Sequence, residues 1–349
     1  MGNEPRKLIL HIDVNNTILV GDSKTKLTVL EGVLNEYMTE ITWGNVDENG
    51  SWIPTEDPIS TKPTNLEAQS YYKYAEKKFE MAGRERREFK EHVRRFTLHD
   101  VGKRFRPHVE KVKENLKFKG NLSESEFQVL EPLFMKEEDG LYYRIIPSYF
   151  KLLNHLLENN RDFAVILRTF GGDGQVALNA TKLYTESLHP DIQFPSSKNF
   201  SVNLNPGEIL PFDKGMLIRT TNGRELSTYE EIYKEFSTSI GVQLYQDSYD
   251  WWKKNDFASS AGKPLLVDVK DSSAHHILFD DNIRTWDPWD NIVNLLVKEG
   301  RHFKTQHSQE YLDGICMLRT DLFESILNED YFIEKVSMCE ANFNQYLSK

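Results

Sequence analysis

The chain has 349 residues, of which 39% are hydrophobic and 12% aromatic, and it carries a formal net charge of −11. This length suits about two domains with a large core, and the composition excludes a disordered or fibrous protein. No run approaches the roughly 18–20 apolar residues of a membrane span, and the N-terminus lacks the apolar stretch of a signal peptide. The acidic balance disfavours a nucleic-acid partner. Two cysteines are too few for a disulfide framework and indicate a reducing compartment, so we expect a cytoplasmic protein that is not bound to a membrane.

The first part of the chain predicts one buried strand followed by a long, mainly helical segment. The strand is the apolar run at 7–12, and apolar residues three or four apart then predict a helix over 27–38. The dipeptide Asn49-Gly50 predicts a hairpin between two Trp-containing segments. The remaining predictions here are a loop at 54–64, one long amphipathic helix at about 65–97, a shorter helix at 108–117 and a helix capped at Ser123.

From Pro147 onward, apolar runs alternate with amphipathic segments. Strands are predicted at 163–167, 264–269 and 276–279, and helices at about 147–158, 174–188 and 227–238. Residues 189–222 are rich in turn formers, with a hairpin at Asn222-Gly223. Asp287-Pro288 has the form of a helix start, and the C-terminal third is predicted to be mostly helical. Strands that alternate with helices indicate an α/β protein with a doubly wound parallel sheet.

Polar residues follow three of the predicted strands at the point where each strand ends. They are Asp13 with Asn15 and Thr17, then Thr169, and finally the pair Asp280-Asp281. Ligands of open α/β sheets bind beyond the carboxyl ends of the strands, so these groups can converge despite their distance in sequence. Carboxylates from two strands form a hard-oxygen site of the kind that Mg²⁺ prefers when phosphate is also a ligand. A hydroxyl and a lysine would then bind the phosphate oxygens.

The order of these motifs resembles the haloacid dehalogenase superfamily, most of whose members are Mg²⁺-dependent phosphatases. The strand LILHI followed by Asp13-Val14-Asn15-Asn16-Thr17 is similar to the first motif of the family, Asp-x-Asp-x-Thr. The strand that ends in Thr169 is similar to the second motif, and ILFDD at 277–281 to the fourth. The third motif is an upstream lysine, for which Lys253, Lys254 and Lys263 all qualify; Lys263 is favoured because it follows a glycine. The resemblance covers about 1–25 and 146–300.

Carried over position by position, the resemblance implies a role for each of these residues. Asp13 would be the nucleophile and would form an aspartyl-phosphate. Asp13, the backbone carbonyl of Asn15, and Asp280 would bind Mg²⁺, and Asp281 would support these ligands. Thr169 and Lys263 would bind the phosphate and neutralise developing charge. The implied function is hydrolysis of a small phosphorylated substrate.

Asn15 departs from the family pattern, in which the phosphatases usually carry a second Asp at this position. That Asp protonates the leaving group and then activates water, and an amide can do neither. The protein is therefore expected to be a slow phosphatase, a phosphotransferase, an enzyme with a substitute acid, or a pseudoenzyme that binds a phosphorylated ligand or a protein partner.

The resemblance also implies a domain organisation. Residues 1–20 and 146–349 would form the Rossmann-like core, with an irregular insertion at about 190–255, and residues 21–145 would form a helical type 1 cap. Within that cap, residues 73–119 hold 16 Lys or Arg and 8 Asp or Glu. We expect either a helical surface laced with ion pairs or a basic surface that attracts a phosphorylated substrate. His275 and His276 point to opposite faces of a strand and are expected to be structural.

Overall fold

A mostly parallel β-sheet lies at the centre of the computed structural model, which describes residues 5–21, 30–195, 200–287, 289–307 and 309–348. Within these residues the strands are β1 (Lys7–Asp13), β2 (Thr42–Val46), β3 (Trp52–Ile59), β4 (Gln69–Ser70), β5 (Phe134–Glu137), β6 (Gly140–Tyr143), β7 (Phe163–Thr169), β8 (Gly207–Phe212), β9 (Gly215–Arg219), β10 (Glu225–Leu226), β11 (Gly241–Asp247), β12 (Lys263–Val267), β13 (Ala274–Asp280), β14 (Val293–Glu299), β15 (His302–Thr305) and β16 (Met317–Arg319). The helices are α1 (Leu30–Ile41), α2 (Tyr71–Met81), α3 (Arg86–Val93), α4 (Arg106–Leu116), α5 (Glu124–Leu130), α6 (Pro147–Glu158), α7 (Gly174–Thr185), α8 (Tyr229–Ser237), α9 (Tyr249–Lys254), α10 (Leu322–Leu327) and α11 (Tyr331–Leu347).

The central sheet has the strand order β10-β9-β8-β11-β7-β1-β13-β16. The six strands from β8 to β16 in this order run parallel, and β9 and β10 form an antiparallel edge. The α/β class predicted from the sequence is therefore confirmed, and the sheet is compatible with a Rossmann-like fold. The chain reaches β7 on one side of β1 and β13 on the other. The carboxyl ends of β1 and β13 thus form a switch point, where open α/β sheets bind ligands.

Successive side chains of β1 pack against opposite faces of the sheet. Leu8, Leu10 and Ile12 belong to a hydrophobic cluster that includes α6, α7 and the helices of residues 30–145. Ile9 lies in a second cluster with α8 and part of a smaller sheet. This alternation is the period of two that a strand covered on both faces requires. The sequence reads as a continuous apolar run because neither face meets water.

The smaller sheet has the order β12-β14-β15 and packs beside the central one. Its strand β14 corrects the prediction of a helix after Asp287-Pro288. Pro288 itself lies outside the described residues, but the apolar residues that follow it lie in or beside β14. Ile292, Leu295 and Leu296 fit either period over so short a run, and the β-branched Val293 and Val297 favour a strand. The C-terminal third is accordingly less helical than predicted.

Residues 30–145 depart from the prediction at two places. The long helix predicted at 65–97 is divided into α2 and α3, because the chain turns at Gly83, whose φ of +62° suits glycine. Much of the loop predicted at 54–64 belongs to β3, which pairs with β2 as the predicted hairpin. The capping box at Ser123 is confirmed, since the Ser123 and Glu126 side chains each bond to the other residue's backbone. The buried residues of this segment and of the sheet form one continuous cluster.

The sequence predicted an irregular insertion at about 190–255, but the described residues of this range include regular strands and helices. These residues contain the edge hairpin and β11, which lies beside β7 in the middle of the sheet. The predicted turn at Asn222-Gly223 is confirmed between β9 and β10. In the part of the chain that the structure describes, no helix combines the length and the apolar character needed to cross a lipid bilayer.

Candidate functional site

Three buried carboxylates lie together at the switch point of the central sheet. Asp13 ends β1, Asp280 ends the neighbouring strand β13, and Asp281 follows it directly. Each offers an oxygen within 4.8 Å of the others. The parallel pairing of β1 with β13, with Ile12 opposite Phe279, sets the two strand ends level. Residues more than 260 positions apart in sequence are therefore neighbours, as the sequence predicted.

Lys263 reaches this cluster from the smaller sheet. It is the first residue of β12, and its Nζ donates hydrogen bonds to Asp13 Oδ1 and, at 2.7 Å, to Asp280 Oδ2. Its ammonium group also lies 5.3 Å from the centre of the Phe170 ring. The two alternative lysines, Lys253 and Lys254, lie on α9 instead. Of the three lysines that the sequence left open, Lys263 is the one that contacts the carboxylates.

Burial dominates the electrostatics of the cluster. Loss of hydration raises the pKa of Asp13 to about 7, although the Lys263 ammonium opposes the shift, and the charge of Asp280 adds to it. Burial also raises the pKa of Asp281 well above its usual value, with further contributions from Asp280 and Asp13. The pKa of Lys263 is raised, because the attraction of Asp13 and Asp280 outweighs its own burial. The Lys263 ammonium bonds to two of the three carboxylates, and a further positive charge beside them would be favourable.

The donor set matches a hard divalent cation. Its groups are carboxylate oxygens, without the cysteine sulfur or histidine nitrogen that zinc favours in structural sites. A small cation would offset the burial, and with it the mutual repulsion, that raises the pKa values of Asp13 and Asp281. Asp13, Asp280 and Asp281 therefore fit the Mg²⁺ that the sequence predicts. A metal contact through the backbone carbonyl of Asn15 stays a prediction.

Thr169 lies at the end of β7, next to β1. Its Oγ1 accepts a hydrogen bond of 2.9 Å from the backbone N–H of Gly171, and its side chain is buried. The register of β1 and β7 sets Asp13 opposite Arg168, the residue before Thr169. The sequence-predicted hydroxyl is thus at the same edge of the sheet as the carboxylates.

The side chain of Asn15 is turned toward the loop that follows β7. In the amide orientation that satisfies its neighbours, Nδ2 donates to the Gly21 carbonyl oxygen and to Asp173 Oδ2, at 3.2 Å each. Asp173 is the N-cap residue of α7. Asp173 belongs to the segment Gly171-Gly172-Asp173-Gly174, which the sequence indicates to be a tight turn whose amides could assist phosphate binding. No sequence signal distinguished Asp173, because Asp is common in turns.

A buried ion pair that the sequence did not indicate positions the strand of Lys263. The Arg168 guanidinium is fully buried and binds both carboxylate oxygens of Asp247, at 2.9 and 2.5 Å. Two of its nitrogens also donate to the carbonyl oxygen of Pro264, at 3.2 Å each. Arg168 therefore links β7 and β11 to the residue next to Lys263. A charged residue directly after the apolar run FAVIL is the signal that could have revealed it.

Charged residues of α1 and of the loop after Asp281 also meet near the site. Arg284 lies 3.7 Å from Glu40 and 3.5 Å from Asp290. Arg319 donates through Nε to the backbone carbonyl of Asp281, at 2.9 Å. These contacts fix the loop after β13 against residues 30–145. They were not foreseen, because they join parts of the chain that are distant in sequence.

The remaining sequence-predicted features lie outside the carboxylate cluster. His275 contacts the carbonyl of Ile315, whereas His276 contacts His11 and Ser237, so the two imidazoles have separate structural partners, as predicted. In the basic segment 73–119, many cations have acidic partners. Among them are Arg86 with Glu76, Arg87 with Glu91, and Arg94 with Glu36. These pairs favour the interpretation of a surface laced with ion pairs.

Similarity to known proteins adds no second line of support. No protein-family model matches the sequence, and no curated protein and no solved structure matches the chain. The functional interpretation therefore rests on the site itself: three carboxylates, one ammonium group and one hydroxyl at the carboxyl edge of a parallel sheet.

Proposed function

We propose that the protein is a Mg²⁺-dependent phosphomonoester hydrolase that acts through an aspartyl-phosphate at Asp13. The observation that carries this proposal is the contact of Lys263 with both Asp13 and Asp280 inside the buried carboxylate cluster. Phosphoryl transfer is catalysed mainly by positioning and by compensation of negative charge. A buried site with carboxylates for a metal and a lysine for phosphate oxygens supplies both. The motifs that resemble the haloacid dehalogenase superfamily support the same reaction.

In this mechanism, Asp13, Asp280 and Asp281 would hold Mg²⁺, which when bound supplies positive charge against the phosphate oxygens. Lys263 binds a phosphate oxygen and holds Asp13 in place. The Thr169 hydroxyl donates a hydrogen bond to a second phosphate oxygen, while the N–H of Gly171 fixes the direction of that hydroxyl. The Asp13 carboxylate attacks phosphorus, the ester bond breaks, and water then hydrolyses the acyl-phosphate to release inorganic phosphate.

The test is a phosphatase assay of the whole chain with Mg²⁺ over a broad panel of phosphomonoesters, including p-nitrophenyl phosphate. Wild type is expected to release phosphate and to carry an acid-stable label from ³²P-labelled substrate. Asp13→Asn is expected to abolish both turnover and label, since its amide is a poor nucleophile. His302→Gln, on the small sheet and away from the cluster, serves as the control variant.

Two outcomes would contradict the proposal. Turnover that survives in Asp13→Asn would show that another group is the nucleophile. Absence of turnover and of label in wild type, over the whole panel, would favour the alternative that Asn15 suggests: a pseudoenzyme that binds a phosphorylated ligand or a protein partner.

A further inference from the structure

Residue 15 is an asparagine, whose amide can neither donate nor accept a proton in the proposed reaction. A phosphoryl group can pass to Asp13 without a proton when the leaving group is stable as an anion. Alkyl leaving groups need protonation, and hydrolysis of the aspartyl-phosphate needs a base. A carboxylate close to both Asn15 and the phosphate-binding hydroxyl could meet both needs.

Three polar groups converge on one point beside Gly171. A Cβ placed on this glycine would lie 3.4 Å from the Asn15 amide, 3.4 Å from Asp173 Oδ2 and 3.5 Å from Thr169 Oγ1. No side chain of the described residues occupies this point, because residue 171 is a glycine. Thr169 is the hydroxyl assigned to the phosphate, so a phosphate bound there has the Asp173 carboxylate on its flank.

Asn15 holds the Asp173 carboxylate in this position. Its amide nitrogen donates to Asp173 Oδ2 at 3.2 Å and to the Gly21 carbonyl oxygen at the same distance. The Asp173 side chain makes no capping bond to α7, although its backbone begins that helix. It is also half-buried, so its carboxylate is accessible to solvent water. An amide at position 15 suits this role, because it donates to a carboxylate where a second Asp would repel it.

We propose that Asp173 is the general acid and base of this site, an inference that rests on the proposed phosphatase function. In the first step, the Asp13 carboxylate oxygen bonds to phosphorus as the ester P–O bond breaks, and Asp173 transfers its proton to the departing oxygen. In the second step, the Asp173 carboxylate takes a proton from water, and that water oxygen bonds to phosphorus. The acyl-phosphate bond then breaks and returns its electron pair to Asp13. The products are the alcohol and inorganic phosphate.

The experiment compares Asp173→Asn with wild type on two substrates and in one labelling assay. For ethyl phosphate, whose leaving group needs a proton, kcat/KM is expected to fall by about 10²–10⁴-fold. For p-nitrophenyl phosphate, the first turnover is expected to stay close to wild type while the steady state slows. Acid-stable label at Asp13 is then expected to accumulate, because hydrolysis has lost its base. Asn is isosteric with Asp and caps helices equally well, so the fold is retained.

Two further variants separate a catalytic role from a structural one. Asn15→Asp in the Asp173→Asn background exchanges the carboxylate and the amide of this hydrogen-bonded pair, so that the carboxylate is at position 15. This double variant is expected to restore turnover of ethyl phosphate. Glu186→Gln removes a carboxylate just beyond the opposite end of α7, where it pairs with Lys182 at 3.1 Å, and is expected to match wild type.

The outcomes distinguish this inference from the proposed function. If Asp13→Asn is inactive while Asp173→Asn equals wild type on ethyl phosphate, Asp173 is not the acid–base and the phosphatase proposal stands. An equal loss on both substrates, without label and without rescue by Asn15→Asp, would likewise overturn the inference. No turnover and no label in wild type would overturn both.

Discussion

Replacement of Arg168 by Met tests how strongly the buried ion pair stabilises the fold around the site. Met has a similar length without charge, so the substitution leaves the Asp247 carboxylate buried and without its bidentate partner. Both side chains are at most 1% exposed, and no surface water can take the place of the guanidinium. Removal of one member of a buried pair costs about 3–5 kcal/mol. We expect the free energy of unfolding, measured by urea titration with tryptophan fluorescence, to fall by about that amount.

The double variant Arg168→Met with Asp247→Leu separates the ion pair from its surroundings. It removes both charges and leaves the Pro264 carbonyl oxygen as the buried group without its donor, which costs about 1–3 kcal/mol. The double variant should therefore be more stable than either single variant, a strongly non-additive result. A cost below about 1 kcal/mol for Arg168→Met, or additive effects in the double variant, would refute the assignment of this pair as the link between β7, β11 and β12.

Three other predictions address the metal, the buried histidines and the backbone. Isothermal titration with Mg²⁺ should show one site in wild type and at least tenfold weaker binding in Asp280→Asn; equal binding would contradict the metal assignment. Burial lowers the pKa of His275 from 6.5 to about 4. As the pH falls, His275 therefore becomes protonated in the unfolded chain before it does in the folded protein, and the free energy of unfolding declines between about pH 6.5 and pH 4. His275→Gln, which can still donate to Ile315, should lower that slope by up to about 1.4 kcal/mol per pH unit, and an unchanged slope in urea titrations would show that His275 is not the titrating group. Gly241→Ala should destabilise the protein far more than Gly223→Ala, although both glycines have a positive φ, of +64° and +81° respectively. The new Cβ would overlap the Ser201 carbonyl oxygen at position 241, whereas at position 223 it would lie in open space. Similar urea midpoints for the two variants would refute this steric explanation.

The sequence predicted the candidate site better than it predicted the sheet. Asp13, Thr169 and Asp280 could be found because each follows an apolar run, and parallel strands present such ends at one edge. The strand β11 was missed, since Gln243 and Gln246 interrupt its apolar pattern. Its position in the sheet depends on pairing with β7 and β8, which no local pattern records.

Other errors arose where two local patterns agree with the residues equally well. The segment at 292–297 fits a short helix or a strand, and its pairing with β12 and β15 decides for the strand. α2 and α3 are divided at Gly83. A single glycine costs only about 1 kcal/mol inside a helix, so its presence does not by itself predict a break. Asp173 could not be singled out because its relevance lies in its distance from Asn15, a contact between two loops.

The continuous core shared by residues 30–145 and the central sheet restricts how the two parts can move apart. Tyr37 of α1 packs against Phe323 with ring centres 5.1 Å apart, and its hydroxyl accepts the backbone N–H of Leu322 at 2.9 Å. Leu34 and Met38 lie in the same cluster as Leu10. Movement of residues 30–145 away from the sheet as a rigid lid would expose such side chains to water, at a cost of about 1.5–3 kcal/mol each. Exposure of five of them would cost about 10 kcal/mol, which equals the free energy of unfolding of a whole domain. In the proposed phosphatase, substrate would therefore have to enter through motions of loops at the sheet edge. The segment 30–145 should resist excision by proteases as long as the protein is folded.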